Sequence, residues 1–550
     1  MRKRTGTILL SALLCLALLS GCSPKGQVPA AAVLRSAAPG GAPADTVRVG
    51  VAELSGIYDP FWYSTVEESR VQELLFDYLI GFDAEGQPVP EMADWTVSED
   101  GLVYTFTLKE GLKYSDGSPV VSSDFAFALE VYDDPSYDGY SDYSTVGIRG
   151  YDDYRNGEAE TISGVTTPDE RTLVITLEKP SLNAIYSMDL PAVSRTYYGA
   201  DYVKGDLDGV REKAKLPLGS GQYVYESAVE GQSLTLKANP LHYRGEPGIG
   251  TCIFTVTPAG MELERLILGE TDLECSYPEP DYLSRAAEYD FIQSYLYPSA
   301  FFSYLGLNDS LPMFSDALTR QALACAIDRA GVTAMTYGEN AWLLTAPVSH
   351  DSWANKTEGL DLYDYDLERA AALLSQAGWK KNGAGLLERD GKPFAIQYTI
   401  DAGNTFSEAM AVAMADSLSR LGITFTTETV EFNAMYDKIM NGDIEMWFGT
   451  VGLLPDPGVT SLYHTDGFQN FGQYSDAESD ALMEAVDSAS DTGEREALYG
   501  ELWQRLNREV PAIWCYQRNE FWVANRALVG LKCDSYNEFF HNFYQVSIKE

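Results

Sequence analysis

Near residue 313 the chain switches from one hydrophobic period to another, and that switch limits the folds open to it. Before it, short alternating segments dominate. "TVRVGVAE" (46–53) alternates, "LVYTFTLKEGLKYSDG" (102–117) reads as a strand with a Glu110-Gly111 turn closed by Asp116-Gly117, and "ERTLVITLEKP" (170–180) is another strand. "GQYVYESAVEGQSLTLKANP" gives strand, Glu230-Gly231 turn, strand. One helix interrupts this part: in "ESRVQELLFDYLIGF" (68–82), Val71, Leu74, Leu75 and Tyr78 share a face.

After the switch, helices alternate with strands. Ser315 is expected to cap a helix through Leu318, Ala322, Leu323 and Ile327, and Asp366 one that carries Leu367, Ala370, Ala371 and Leu374 and stops at Gly378. Thr405 with Glu408 has the spacing of a capping box, ahead of a helix that buries Met410, Met414, Leu418 and Leu421 and stops at Gly422. The strand "ITFTTETV" follows, then a helix over 433–440, the strand "IEMWFG", and a last helix around 494–509 before "AIWCYQ". Methionines at helical spacing read as core filler. A strand-rich lobe, an α/β lobe and a returning strand imply that one lobe is discontinuous and that strands cross between the two. The expected division is lobe I over 46–305, with a strand-rich extra subdomain at about 82–215, lobe II over 306–512, and a return segment over 513–550 that completes lobe I. Ligand clefts favour such junctions, and crossing strands make natural hinges.

The first 45 residues predict a compartment. Arg2, Lys3 and Arg4 precede an apolar run from Ile8 to Leu19. A dozen helical residues reach about 18 Å, short of the ~30 Å bilayer core, so the run reads as an export signal. It ends at Leu19-Ser20-Gly21-Cys22, which resembles the lipobox of bacterial lipoproteins. The resemblance implies a signal peptide over 1–21, cleavage before Cys22, and acylation of that cysteine as a membrane anchor on the extracytoplasmic side. Residues 23–45, rich in Ala, Pro, Gly and Ser without apolar periodicity, read as a disordered tether.

Composition then excludes several classes. A net charge of −42 argues against nucleic acid and anionic lipid as partners, because both require clustered Lys and Arg. The five cysteines after Cys22 (Cys252, Cys275, Cys325, Cys515 and Cys533) form no CxxC pair and are odd in number; a Cys252–Cys275 bridge stays open. The histidines His242, His350, His464 and His541 are scattered, so no metal site is expected. "PLGSGQYVYE" (217–226) lacks the Gly-x-Ser-x-Gly spacing of a nucleophile elbow, and Ser220 between two glycines reads as a tight turn. With 81 Asp and Glu, no carboxylate pair stands out. No catalytic residue and no cofactor is expected.

Five segments in order resemble the family 5 extracellular solute-binding proteins of ABC importers. They are "WTVSEDGLVYTFTLKEGLKYSDGSPVVSSDFAFALE" (95–130), "GSGQYVY", "LTRQALACAIDR" (318–329), "YDYDLERAAALLSQAGW" (363–379) and "NFGQYSDAESDALMEA" (470–485). The resemblance implies an α/β, two-lobed periplasmic-binding-protein-like fold of type II, in the large class with an extra N-terminal subdomain, its lobes joined by hinge strands. It implies a monomer that captures a small solute, most simply a peptide, and passes it to ABC permease subunits without chemistry. A metal chelate, an opine or an oligosaccharide is the alternative cargo, and a surface lipoprotein hydrolase or a transporter-free sensor the alternative role. For the site, "YDPFWYSTVEESRVQELLF" (58–76) corresponds to a cleft-lining segment and nominates Ser64, Thr65 and Val66, with Tyr58 and Trp62 beside them. In lobe II, "MWFGTVGLLPDPGVT" (446–460) is the counterpart segment. Peptide-binding members carry there, three residues before Asp-Pro, an Asp that holds the ligand's ammonium group; in this chain that place is Leu453, with Asp456 as a substitute acid. Trp447 and Tyr516 are expected to wall the cleft, and Trp514 to pack in the core.

Overall fold

The computed structural model describes residues 45–549 apart from 64, 140, 142 and 490, so the leader, Cys22, nearly all of the tether and Ser64 lie outside the described residues. The strand Ala512–Asn525 runs through both halves of the molecule. Its first part pairs antiparallel with Phe301–Leu307 and Ala341–Leu343, and its second with Ile292–Pro298 and Leu273–Ser276. The segment 292–307 crosses beside it, so two neighbouring stretches of chain carry one continuous sheet from lobe to lobe. On one side of Ala512–Asn525 that sheet continues through Phe301–Leu307, Met446–Gly452, Ala395–Asp401 and Thr424–Val430; on the other, through Leu273–Ser276, Thr46–Val51, Thr251–Val256, Ser233–Ala238 and Tyr223–Val229. The architecture is α/β and two-lobed.

Separate apolar clusters fill the parts. Val47, Val49, Val71, Leu74, Leu75, Phe254, Trp522 and Phe540 belong to one, and Leu305, Leu323, Met410, Met414, Leu418 and Met446 to another. A four-stranded antiparallel sheet (Ala93–Val97, Val103–Leu108, Thr172–Thr176, Val165–Asp169) packs under the helix Ser122–Tyr132 around a third cluster that includes Phe106, Phe125 and Leu173. The methionines at helical spacing are core residues, as their period suggests. The helix Thr405–Leu421 ends at Gly422, which takes the left-handed conformation (φ 91°) that a side chain would resist.

Three local expectations are corrected. The cap of the helix Ala317–Ala326 is Asp316, whose Oδ1 accepts from the Thr319 backbone N–H at 2.9 Å, while Ser315 turns away to donate to the Pro312 carbonyl. Asn404 takes the cap expected of Thr405, accepting from the Ser407 backbone N–H at 2.9 Å. In both cases the adjacent acceptor, one position after the expected cap for Asp316 and one before it for Asn404, meets the free N–H groups from an extended backbone. Tyr78 is not helical: the helix Val66–Leu75 ends where Phe76 turns extended, and Tyr78 bridges to Pro191. All five cysteines are free thiols.

That early end has a cause in the "GSG" turn. The Gly221 N–H donates to the Leu75 carbonyl at 2.9 Å, Ser220 Oγ accepts from the Asp77 N–H at 3.2 Å, and both glycines lie flat against the last helical turn. A Cβ on either would collide with the backbone of Leu74 or Leu75. Gly221→Ala is therefore expected to destabilise the protein by about 1–3 kcal/mol in denaturant titrations through overpacking. An unchanged midpoint would mean that the turn does not hold the helix.

Candidate functional site

The helix Val66–Leu75 has one face in the lobe I core, and its other face looks across at lobe II. Thr65 fixes its start in a reciprocal cap: Thr65 Oγ1 accepts from the Glu68 N–H at 3.2 Å, and the Glu68 carboxylate accepts from the Thr65 N–H at 3.3 Å. Two cavities lie along the exposed face. One, of about 540 Å³, begins at Val66 and is walled across the cleft by Phe301, Ser303, Asn404, Phe406, Thr450 and Tyr516. The other, of about 350 Å³, lies further along, lined by Ser69, Gln72 and Glu73 and met from lobe II by Leu454 and Pro455. Asn183 donates to Asp487 at 3.0 Å and Ser535 to Asp351 at 3.1 Å, joining the two sides of the cleft.

The nominated residues divide. Val66, 40% exposed, and Tyr516 stand at the first cavity; the Tyr516 hydroxyl shares a hydrogen bond with Tyr337 at 3.2 Å. Thr65 lies next to Val66 but is engaged as a cap. Tyr58 and Trp62 are buried in the lobe I core, the Trp62 Nε1–H donating to Asp138 at 3.1 Å. Trp447, 1% exposed, packs on Met435 and Ile439 and overlies Gly306, so it walls the core and not the cleft. Trp514 is a core residue that donates to the Tyr463 hydroxyl at 2.9 Å. Leu453 leans on an apolar cluster of lobe II, and the next residue, Leu454, faces the second cavity. Asp456 turns inward onto the buried Arg495, at 2.6 Å.

The second cavity gathers groups that the sequence did not single out. Asp77 meets His242 at 3.3 Å and Arg244 at 3.5 Å; Glu91 meets His541 at 3.0 Å and Arg244 at 3.3 Å, and accepts from the Tyr243 hydroxyl at 2.8 Å. Burial would push Glu91 up, but the His541 hydrogen bond and the Arg244 charge outweigh it and hold the carboxyl down at about 2. Glu73 and Asp189 are placed differently. Burial raises Glu73 to about 7, against the pull of His541, and raises Asp189 to about 6. Among the described residues, no three His, Cys, Asp or Glu side chains come together as a metal ion would need.

Two expectations follow. A carboxyl whose pKa is higher folded than unfolded makes the folded state bind more protons, so its contribution favours folding at low pH and is lost as pH rises, for Glu73 between 4.5 and about 7. The wild-type protein without ligand should therefore lose more thermal stability than Glu73→Gln or Asp189→Asn between about pH 5 and about pH 7; identical slopes would mean that neither acid is desolvated. Asp456→Asn strands a guanidinium that is 2% exposed. It should cost about 3–5 kcal/mol in denaturant titrations whether or not ligand is present. A loss of ligand affinity with stability unchanged would instead place Asp456 in the site.

Comparison with known proteins identifies the family and the fold. The family model described as "Bacterial extracellular solute-binding proteins, family 5 Middle" matches residues 87–473. The oligopeptide-binding protein AppA of Bacillus subtilis is 25% identical over 545 residues, covering 96% of each chain. Lactococcal OppA, solved with an endogenous peptide in the closed conformation, superposes with a TM-score of 0.80 at 20% identity, over 92% of this chain and all of that one. NikZ from Campylobacter jejuni, solved with Ni(L-His), gives 0.75 at 20% identity over the same shares.

Proposed function

The chain belongs to the bacterial extracellular solute-binding proteins of family 5, and from that premise we propose that it is the peptide-capturing component of an ABC importer, lipid-anchored through Cys22 on the outer face of the cytoplasmic membrane. The observation that carries this reading is the pair of cavities between lobes that share a through-running strand, both lined by aromatic side chains and carboxylates, the first also by the hydroxyls of Ser303 and Thr450, the second by four carboxylates. A peptide offers apolar side chains to the aromatic surface and N–H donors to the hydroxyls and carboxylates. The oligopeptide-binding name of the Bacillus subtilis relative supports the same cargo.

In this reading the lobes divide where the through-running strand exchanges partners. Lobe I comprises about 46–298 and 519–550 and lobe II about 301–518, not 46–305 with 513–550 and 306–512, because Phe301–Leu307 and residues 513–516 pair and pack with lobe II, and the monomer hinges at that exchange. Closure is driven by ligand that binds the closed form more tightly than the open one. The Asn183–Asp487 and Ser535–Asp351 contacts form as the lobes meet, and the closed form docks on the permease. A metal chelate is the second reading, favoured by the likeness to the Ni(L-His) complex.

Ligand at about a hundred times its Kd stabilises the folded state by about 2.7 kcal/mol, enough to raise the melting temperature visibly. The mature protein should therefore melt higher with members of a library of short peptides and metal chelates, and mass spectrometry of what co-purifies should return peptides. No shift across the library together with hydrolysis of its peptides would turn the reading to a surface hydrolase, and a shift with chelates alone to the second cargo. Incorporation of labelled fatty acid that Cys22→Ala abolishes tests the anchor; incorporation that survives that change would remove it.

A further inference from the structure

The cavity beside Gln72 presents oxygen acceptors that have no donors. Gln72 is 4% exposed, and its Oε1 accepts no hydrogen bond from the described residues. Asp77 uses Oδ1 on His242 and Arg244, while its buried Oδ2 accepts no hydrogen bond from the described residues. Glu73 and Asp189, on the same wall, have no ion pair or side-chain hydrogen bond with the described residues, and both bear on the same two phenols, Tyr63 and Tyr78. Four carboxylates thus share a space with one guanidinium and one imidazole, and those two are taken by Asp77 and Glu91.

Among the described residues, lobe II offers nothing to balance them. Its contribution to this cavity is Leu454 and Pro455, and the neighbouring Asp456 is held by Arg495. What such a space lacks is a compact cation that brings several N–H donors at once. An ammonium group carries three. A metal ion would need converging ligands, and none of the described residues form such a set.

Resting on the peptide reading above, we propose that lobe I captures the ligand's amino terminus: the protonated amine is held among Gln72 Oε1, Glu73 and Asp189, and Leu454 and Pro455 close over it. The anchoring charge then lies on the opposite lobe from the position of Leu453. Desolvated acids that gain a cationic partner recover what burial cost them, so this end of the cleft favours the loaded state. The apolar residue at Leu453 becomes consistent with amine binding, since no second acid is required.

The test uses the full mature chain, cleared of bound material, and two pools of random pentapeptides, one with free amino termini and one N-acetylated; the bound fraction is read by mass spectrometry after gel filtration. Wild type should retain the free-amine pool at least tenfold better than the acetylated pool. Glu73→Gln with Asp189→Asn should lower retention of free amines roughly ten- to hundredfold, to the acetylated level, with no loss of melting temperature in the unloaded protein. Equal retention of both pools by wild type, or unchanged free-amine preference in the double variant, overturns the amine site and leaves peptide binding standing. Retention of neither pool overturns the peptide reading and the amine site with it. Should the double variant not fold, Gln72→Leu decides: a reduced free-amine preference supports the site, and an unchanged one overturns it.

Discussion

Backbone hydrogen bonding along Ala512–Asn525 sets the terms for the rest of the molecule. A strand paired over its whole length resists stretching and shear, because each slip breaks several bonds and flips side chains to the wrong face. It still twists and bends readily about its axis, more so where its partners change. The partners of this strand change near Arg518, from Phe301–Leu307 and Ala341–Leu343 to Ile292–Pro298 and Leu273–Ser276. Each lobe is thus paired to its own half of the strand, and in the proposed closure the rotation falls at the exchange of partners. The register shift between Ser303 and Tyr304, opposite the same strand, adds a local irregularity at that level.

Much of this was legible in the chain because helix ends and strand periods are local. Asp366, Gly422 and the Glu230-Gly231 turn act within a few residues, through caps and left-handed backbone, and the structure keeps all three. Where two capping residues stand side by side, as with Ser315 and Asp316 or Asn404 and Thr405, pattern alone does not choose; backbone direction does. The aromatic residues were less legible for the same reason in reverse. Trp447 and Tyr516 both sit in strands next to the cleft, but Trp447 points to the side where Gly306 leaves room for an indole, and Tyr516 to the side that opens on the cavity.

Glu73 and Asp189 were invisible for a different reason. In a chain with 81 acidic residues a single carboxylate carries no information by type. Its environment does: Asp189 stands between Met188 and Leu190, each 1% exposed, and Glu73 between Gln72 and the fully buried Leu74. Sequence neighbours still do not reveal the site, since Thr107 stands exposed between the buried Phe106 and Leu108; Glu73 and Asp189 are desolvated by the walls of the cavity they line, which only the tertiary structure assembles.

The contrast between Asp456 and Glu73 shows why charge alone does not locate a binding group. Both are acids at the cleft, one on each lobe. Asp456 has a bidentate guanidinium partner, so its charge is neutralised within lobe II and its geometry fixed before any ligand arrives. Glu73 has no ion pair with the described residues, and its desolvation outweighs the pull of His541 and Arg70, which raises the free energy of its ionised form and leaves attraction in reserve for a cation from outside. Had lobe I also supplied an arginine at Glu73, the apo protein would be more stable and the cleft electrostatically indifferent. In the proposed reading, a binding lobe that stays slightly unfavourable when empty, joined by one strand to a lobe whose charges are already satisfied, gives the ligand something to complete, and that difference in free energy would drive closure.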